Sequence, residues 1–222
     1  MTAHRRATIL LVATTQFVVL TLVAMTTYAG GTYFDASTRS YRFFENFFSD
    51  LGTTRSYSGR PNWVSCVLFV IALATMGSSL VVFSGGWRSF AFERRRGAFF
   101  GATGRGLGTL SGICFVGIAL TPFDRALDAH NLLVMAAFSL LLGYVGCLTV
   151  LFVRNGLPRS LVLSNVAYFG VLVAYVWLLF FGPRFDAPGG LAMQCGGQKV
   201  IVYASMANLL LMAIVIRRRA HA

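Results

Sequence analysis

The residues able to do chemistry in this chain gather at the starts of three hydrophobic segments. Ser49 and Asp50 precede the first, with Asn62 at its mouth and Ser65 just inside it. Asp124, Asp128, His130 and Asn131 introduce the second, and Gln198, Lys199 and Tyr203 the third. Several chemistries could draw on this set. A histidine beside a carboxylate can serve as a general base, with Asp128 placed to accept from His130 or to cap its helix. Ser49 or Ser65 would then be a nucleophile. Alternatively, Asp50, Asp124 and His130 would hold a divalent metal. Plainer roles stand beside these: Asp128 as an N-cap, Asp50 paired with an arginine such as Arg60, and His130 as a hydrogen-bonded structural residue. His4 and His221 lie in the tails, so His130 is the histidine available to a membrane site. One histidine with scattered acids is a thin metal-ligand set, no Cys/His spacing suggests zinc, and bis-histidine haem ligation lacks its ligands. No cofactor is expected.

The elements that must position these residues are membrane spans. Six stretches, each about 17–25 residues long, are too apolar and uncharged for water. They are placed at Thr8–Ala29, Trp63–Phe83, Leu107–Phe123, Asn131–Val153, Leu161–Phe181 and Val200–Ile216. The 222 residues are 56% hydrophobic and only 12% charged, about half the charged share of a soluble domain. The expected fold is all-α: a polytopic membrane protein with one six-helix domain over residues 1–222, its short connections favouring an up-down bundle.

A net charge of +12 would suit nucleic acid, but its distribution speaks for topology. Arg5, Arg6, Arg88, Arg94–Arg96, Arg154, Arg159 and Arg217–Arg219 fall on one side with a single acid, Glu93. The other side holds Asp35, Glu45, Asp50, Asp124, Asp128 and Asp186, roughly balanced by arginines and Lys199. This positive-inside pattern puts both termini in the cytoplasm of a cell-membrane protein. The first span follows His4-Arg5-Arg6 and is too long for a signal-peptide core, so it reads as a retained helix. Membrane lipids are the expected partners, nucleic acid is not, and anionic headgroups are a secondary possibility for the basic side.

Between the spans, Tyr41–Phe48 is aromatic and amphipathic, which suits a segment at headgroup level. Gly52 could supply a positive φ to stop a short helix there. Gly182–Gly197 reads as a loop containing Cys195. A Cys66–Cys195 bridge is geometrically thinkable, but the cysteines read chiefly as small apolar residues. Gly104, Gly108 and Gly112 share one face of the third span, where small residues allow close helix approach, either within the chain or to a membrane-protein partner or second copy.

Asn46-Phe47-Phe48-Ser49-Asp50-Leu51-Gly52, followed by Asn62, resembles the N-x-x-S-D-L-G … N signature of a prokaryotic family of six-span membrane proteins of unknown function. Gly117 through Pro122 and Asp124, with His130 and Phe138, resembles the same family's G-x-x-x-x-P-x-D … H … F stretch. The likeness covers the first four spans; the last two match only in hydropathy, with Gln198-Lys199 where a charged pair would be sought. The family is distantly similar to the eukaryotic DRAM/Frag/Sfk-type proteins, which are tied to lipid handling. The resemblance implies a lipid-facing role and names no reaction. It draws attention to Ser49, Asp50, Asn62, Asp124 and His130.

Three functions follow as expectations. The first is binding of a lipid or amphipathic ligand near the outer leaflet by Asp50, Asn62, Asp124, Asp128, His130, Asn131, Gln198 and Lys199. The second is a membrane-embedded hydrolase or transferase using His130, Asp50 or Ser49 in the same place. The third is a structural partner of another membrane protein. A channel is disfavoured, because no span carries a polar stripe along its length.

Overall fold

The computed structural model describes residues 1–86 and 97–219. The expected basic loop with Arg88, Glu93 and Arg94–Arg96, and the tail histidine His221, lie outside them. Six helices form: α1 (Ala3–Thr27), α2 (Trp63–Ser84), α3 (Ala98–Leu120), α4 (Leu127–Arg154), α5 (Arg159–Phe181) and α6 (Gly190–Arg219). Each is long and apolar enough to cross a membrane. Each packs on its chain neighbours, and α6 closes back on α1, so the bundle is a ring.

The lining of that ring explains its stability without water. Leu10, Ala72, Leu151, Leu172 and Ile201 are fully buried, while Leu132, Leu163, Val166 and Phe181 point outward. In lipid, such outward side chains cost nothing, and association rests on close packing and interhelical hydrogen bonds. The glycine ladder supplies the packing. A Cβ on Gly77 would sit 2.7 Å from the Gly112 carbonyl oxygen, and one on Gly112 would sit 2.7 Å from that of Gly77. Gly108 abuts Ser84 and Tyr144. The face that the sequence also offers to a partner is therefore taken up, at Gly108 and Gly112, by α2 and α4 of the same chain. Hydrogen bonds supply the rest: Asn165 Nδ2 donates to Thr149 Oγ1 at 2.7 Å, Asn208 Nδ2 donates to Asn165 Oδ1 at 3.2 Å, and the Tyr168 and Ser205 hydroxyls pair at 2.7 Å. These tie α4, α5 and α6 together.

Helix ends depart from the expected spans for local reasons. α3 stops at Leu120, because Pro122 biases Thr121 away from helical geometry, and the Thr121 hydroxyl turns back to Gly117 O at 2.9 Å. α6 starts at Gly190, after Gly189 at φ 74° reverses the chain. Much of the loop expected over Gly182–Gly197 is therefore helix, and Cys195 is buried within it. Cys66 and Cys195 are both free thiols, so the bridge is not formed.

Residues 30–62 fold over one end of the bundle, called here the cap end. Tyr41–Phe48 is a series of turns rather than an amphipathic helix lying on a surface; Asn46 and Phe48 are buried, and Phe44 is exposed. A 3-10 turn follows at Phe48–Gly52. Gly52 is not among the positive-φ glycines. Its small size is needed instead for close approach, since a Cβ there would meet the Phe69 ring at 2.5 Å.

Candidate functional site

The polar residues of the cap end divide into three groups. The first fixes the cap to the bundle. Asn62, buried at the N-cap position of α2, donates through Nδ2 towards the carbonyls of Leu51 and Thr53 at 3.3 and 3.1 Å, and accepts from Ala29 N at 3.1 Å. It thus joins the end of α1, the 3-10 turn and the start of α2. Ser65 is fully buried and donates to Leu51 O at 3.0 Å, which leaves it no role as a nucleophile. Asp124 accepts from the backbone N–H groups of Thr54 and Arg55 at 3.0 and 3.2 Å and from the Thr54 hydroxyl. Its carboxylate therefore clamps the cap to the α3–α4 turn.

The second group is a buried latch between cap and α6. Asp50 is fully buried; its Oδ2 accepts from Asn46 Nδ2 and Phe47 N, each at 2.9 Å. Its Oδ1 is buried without a hydrogen-bond partner among the described residues. Burial pushes the carboxyl up to about 7, against the two hydrogen bonds and the nearby Lys199 charge, which hold it down. Lys199 is the only lysine in the chain. Its ammonium donates to Asn46 O and lies 5.2 and 5.3 Å from the ring centroids of Tyr41 and Phe43. Asn46 thus bridges acid and ammonium. The expected pairing of Asp50 with Arg60 does not occur: Arg60 Nε donates to Ser58 Oγ instead, at 3.2 Å.

The third group lines a cavity of about 510 Å³ between the cap, the start of α4, the end of α5 and the start of α6. Ser49, His130, Asn131, Gln194 and Gln198 give it polar edges; Tyr33, Tyr57, Phe123, Phe185, Met135 and Leu179 supply aromatic and apolar wall. His130 is 4% exposed, and its Nδ1 lies 2.7 Å from Thr121 O. A carbonyl oxygen only accepts, so Nδ1 carries the proton. In the neutral ring this leaves the Nε2 lone pair for other contacts. Gln198 accepts from Phe48 N, and Gln194 Nε2 donates to Pro183 O at 3.0 Å.

Of the residues singled out in the sequence, Ser49, His130, Asn131 and Gln198 share this cavity, whereas Asp50, Asn62, Asp124, Asp128 and Lys199 are absent from its wall. Asp128 is exposed on the first turn of α4, whose N-cap position is Ala126, so Asp128 is not the cap. It does not orient His130, which is held by Thr121. Asp50, Asp124 and His130 are each engaged elsewhere, and no group of three metal-ligating side chains exists among the described residues. Tyr203 stacks with Phe43 at 6.3 Å in the aromatic packing beside the latch. Gln194 and the aromatic wall were not among the residues singled out in the sequence, and Asn46 stood there only as the first residue of the N-x-x-S-D-L-G stretch. Asn46 alone carried a signal, as the one amide in an aromatic run.

A comparison of the chain with protein families, with curated proteins and with solved structures finds no match in any of the three.

Proposed function

We propose that this chain is a multi-pass protein of the cell membrane, with both termini cytoplasmic, that binds a lipid or similar amphipathic ligand at its cap end. The observation that carries the reading is the cavity of about 510 Å³, lined by a few polar side chains and a larger aromatic and apolar wall. Ligand pockets typically fall in a range of about 300–1,000 Å³ and combine an apolar wall with a few convergent polar groups. A ligand with one polar end and one greasy end fits that division. The resemblance of Asn46–Gly52 to the six-span family, and through it to lipid-handling proteins, points the same way.

The test is native mass spectrometry with lipid identification on the gently purified chain. Wild type is compared with His130→Ala, which removes a polar contact, and Val134→Trp, which fills the cavity. A defined lipid retained by wild type and lost from both variants is the expected result. The same unselective lipids on all three would overturn the reading.

A second reading, a lipid hydrolase or transferase, draws on the presence of Ser49 and His130 in one cavity. Thr121 O holds the ring in the tautomer whose Nε2 could take a proton from a hydroxyl. Turnover of the retained lipid, abolished by Ser49→Ala while retention persists, would favour the enzyme over the binder.

A further inference from the structure

The wall of the cap-end cavity contains no Asp, Glu, Lys or Arg among the described residues. Charges do lie close by in the chain, but each is turned elsewhere. The Asp50 carboxyl beside Ser49 faces Asn46 and Phe47 N. The Lys199 ammonium beside Gln198 faces Asn46 O and two aromatic rings. Arg184, next to Phe185, is paired with Asp186 at 3.1 Å on the exposed surface. The polar groups that remain are neutral and of mixed sense. Ser49 and Asn131 both donate and accept, and the His130 tautomer set by Thr121 O presents an accepting Nε2.

This pattern discriminates among headgroups. A carboxylate or a fully ionised phosphate only accepts, so it would meet the lone pair of a neutral His130 with no proton between them. It would also enter a low-dielectric space without a cation to offset its desolvation. A hydroxyl both donates and accepts: it can give its proton to Nε2 and receive one from Asn131 or Ser49. We infer that the ligand of this cavity is a neutral lipid whose headgroup is made of hydroxyls, either the glycerol hydroxyl of a diacylglycerol or the sugar of an uncharged glycolipid. This assignment rests on the lipid-binding reading above and narrows it.

Three probes with the same oleoyl chains isolate the headgroup: dioleoylglycerol, monoglucosyl dioleoylglycerol and dioleoyl phosphatidic acid. The full-length chain in mild detergent is offered equimolar mixtures, and the retained lipid is read by native mass spectrometry. The measurement is repeated for Val134→Trp and for Asn131→Lys. Asn131 is exposed, so the lysine adds a cation at the rim without burying one in the core. The expected result is that a neutral probe is retained over phosphatidic acid by about tenfold or more, that Val134→Trp abolishes the preference, and that Asn131→Lys moves it towards phosphatidic acid. Which neutral probe is enriched tells glycerol from sugar. Phosphatidic acid retained as well as the neutral probes by wild type, and lost in Val134→Trp, would overturn the headgroup assignment and leave lipid binding in place. Equal retention of all three probes, unaffected by Val134→Trp, would overturn lipid binding at this cavity and the assignment with it.

Discussion

Asp50→Asn is the substitution that tests the energetics of the cap most directly. The Asp50 carboxyl has an ordinary value of 3.8 and is pushed up to about 7 by burial. Between those two values the folded chain holds a proton that the unfolded chain has released. Stability therefore falls as pH rises through that window and levels off above it. A displacement of this size corresponds to about 4 kcal/mol as an upper bound, or on the order of 10 °C in Tm for a chain of this length. The asparagine keeps an oxygen for Asn46 Nδ2 and Phe47 N. It places its NH2 where Oδ1 has no partner, which costs about 1–3 kcal/mol at every pH. The diagnostic is therefore the slope rather than the absolute value. Thermal unfolding of the detergent-solubilised chain from pH 4 to pH 8 should show wild type losing stability with rising pH and Asp50→Asn losing much less. Every other group is common to both proteins and drops out of the difference. Identical slopes, or a wild type that gains stability relative to the variant as pH rises, would refute the argument that burial outweighs Lys199 and the two hydrogen bonds.

The remaining predictions use the same preparation. Lys199→Met should move the Asp50-dependent transition to higher pH, because the lysine charge holds the carboxyl down; an unmoved midpoint in the same pH series would mean that the two do not interact. Gly112→Ala should cost about 1–3 kcal/mol through overpacking against Gly77 and Val81, while Gly106→Ala, with open space around it, should be neutral or stabilising by about 0.5–1 kcal/mol; thermal melts of the pair give the comparison. Asp124→Ala removes the acceptor for Thr54 and Arg55, so limited trypsin digestion should cut faster after Arg55 while the helical circular dichroism stays unchanged.

The membrane-spanning helices were legible because hydrophobic runs of that length have few other uses, and the third-span glycine ladder because its spacing matches the helical repeat. The cap was not. Its central contacts, Phe48 N to Gln198 and Lys199 to Asn46 O, join residues far apart in the chain and leave no periodic trace. Gly52 was correctly marked as special but for a different reason: positive φ and close approach to Phe69 both call for glycine, and composition does not separate them. Asp128 looked like the cap of α4 because aspartate favours that position, yet the helix begins one residue ahead of it at Leu127. His130, Asn131, Ser49 and Gln198 could be named as polar residues at span mouths. That they, rather than Asp50 and Lys199, border the cavity depends on how the cap folds back, and this is set by tertiary contacts alone.

The closing of α6 onto α1 bears on how the protein is made. A ribosome delivers the chain N-terminus first, so Asn46 and Asp50 are synthesised long before Gln198 and Lys199 exist. Until α6 is inserted, α1 shows lipid a face that belongs against protein, and the Asn46 carbonyl lacks its ammonium. Insertion of α6 resolves both at once: it completes the ring and supplies the cap with Lys199 and Gln198. Ring and cap are thus completed in the same step, by the same helix.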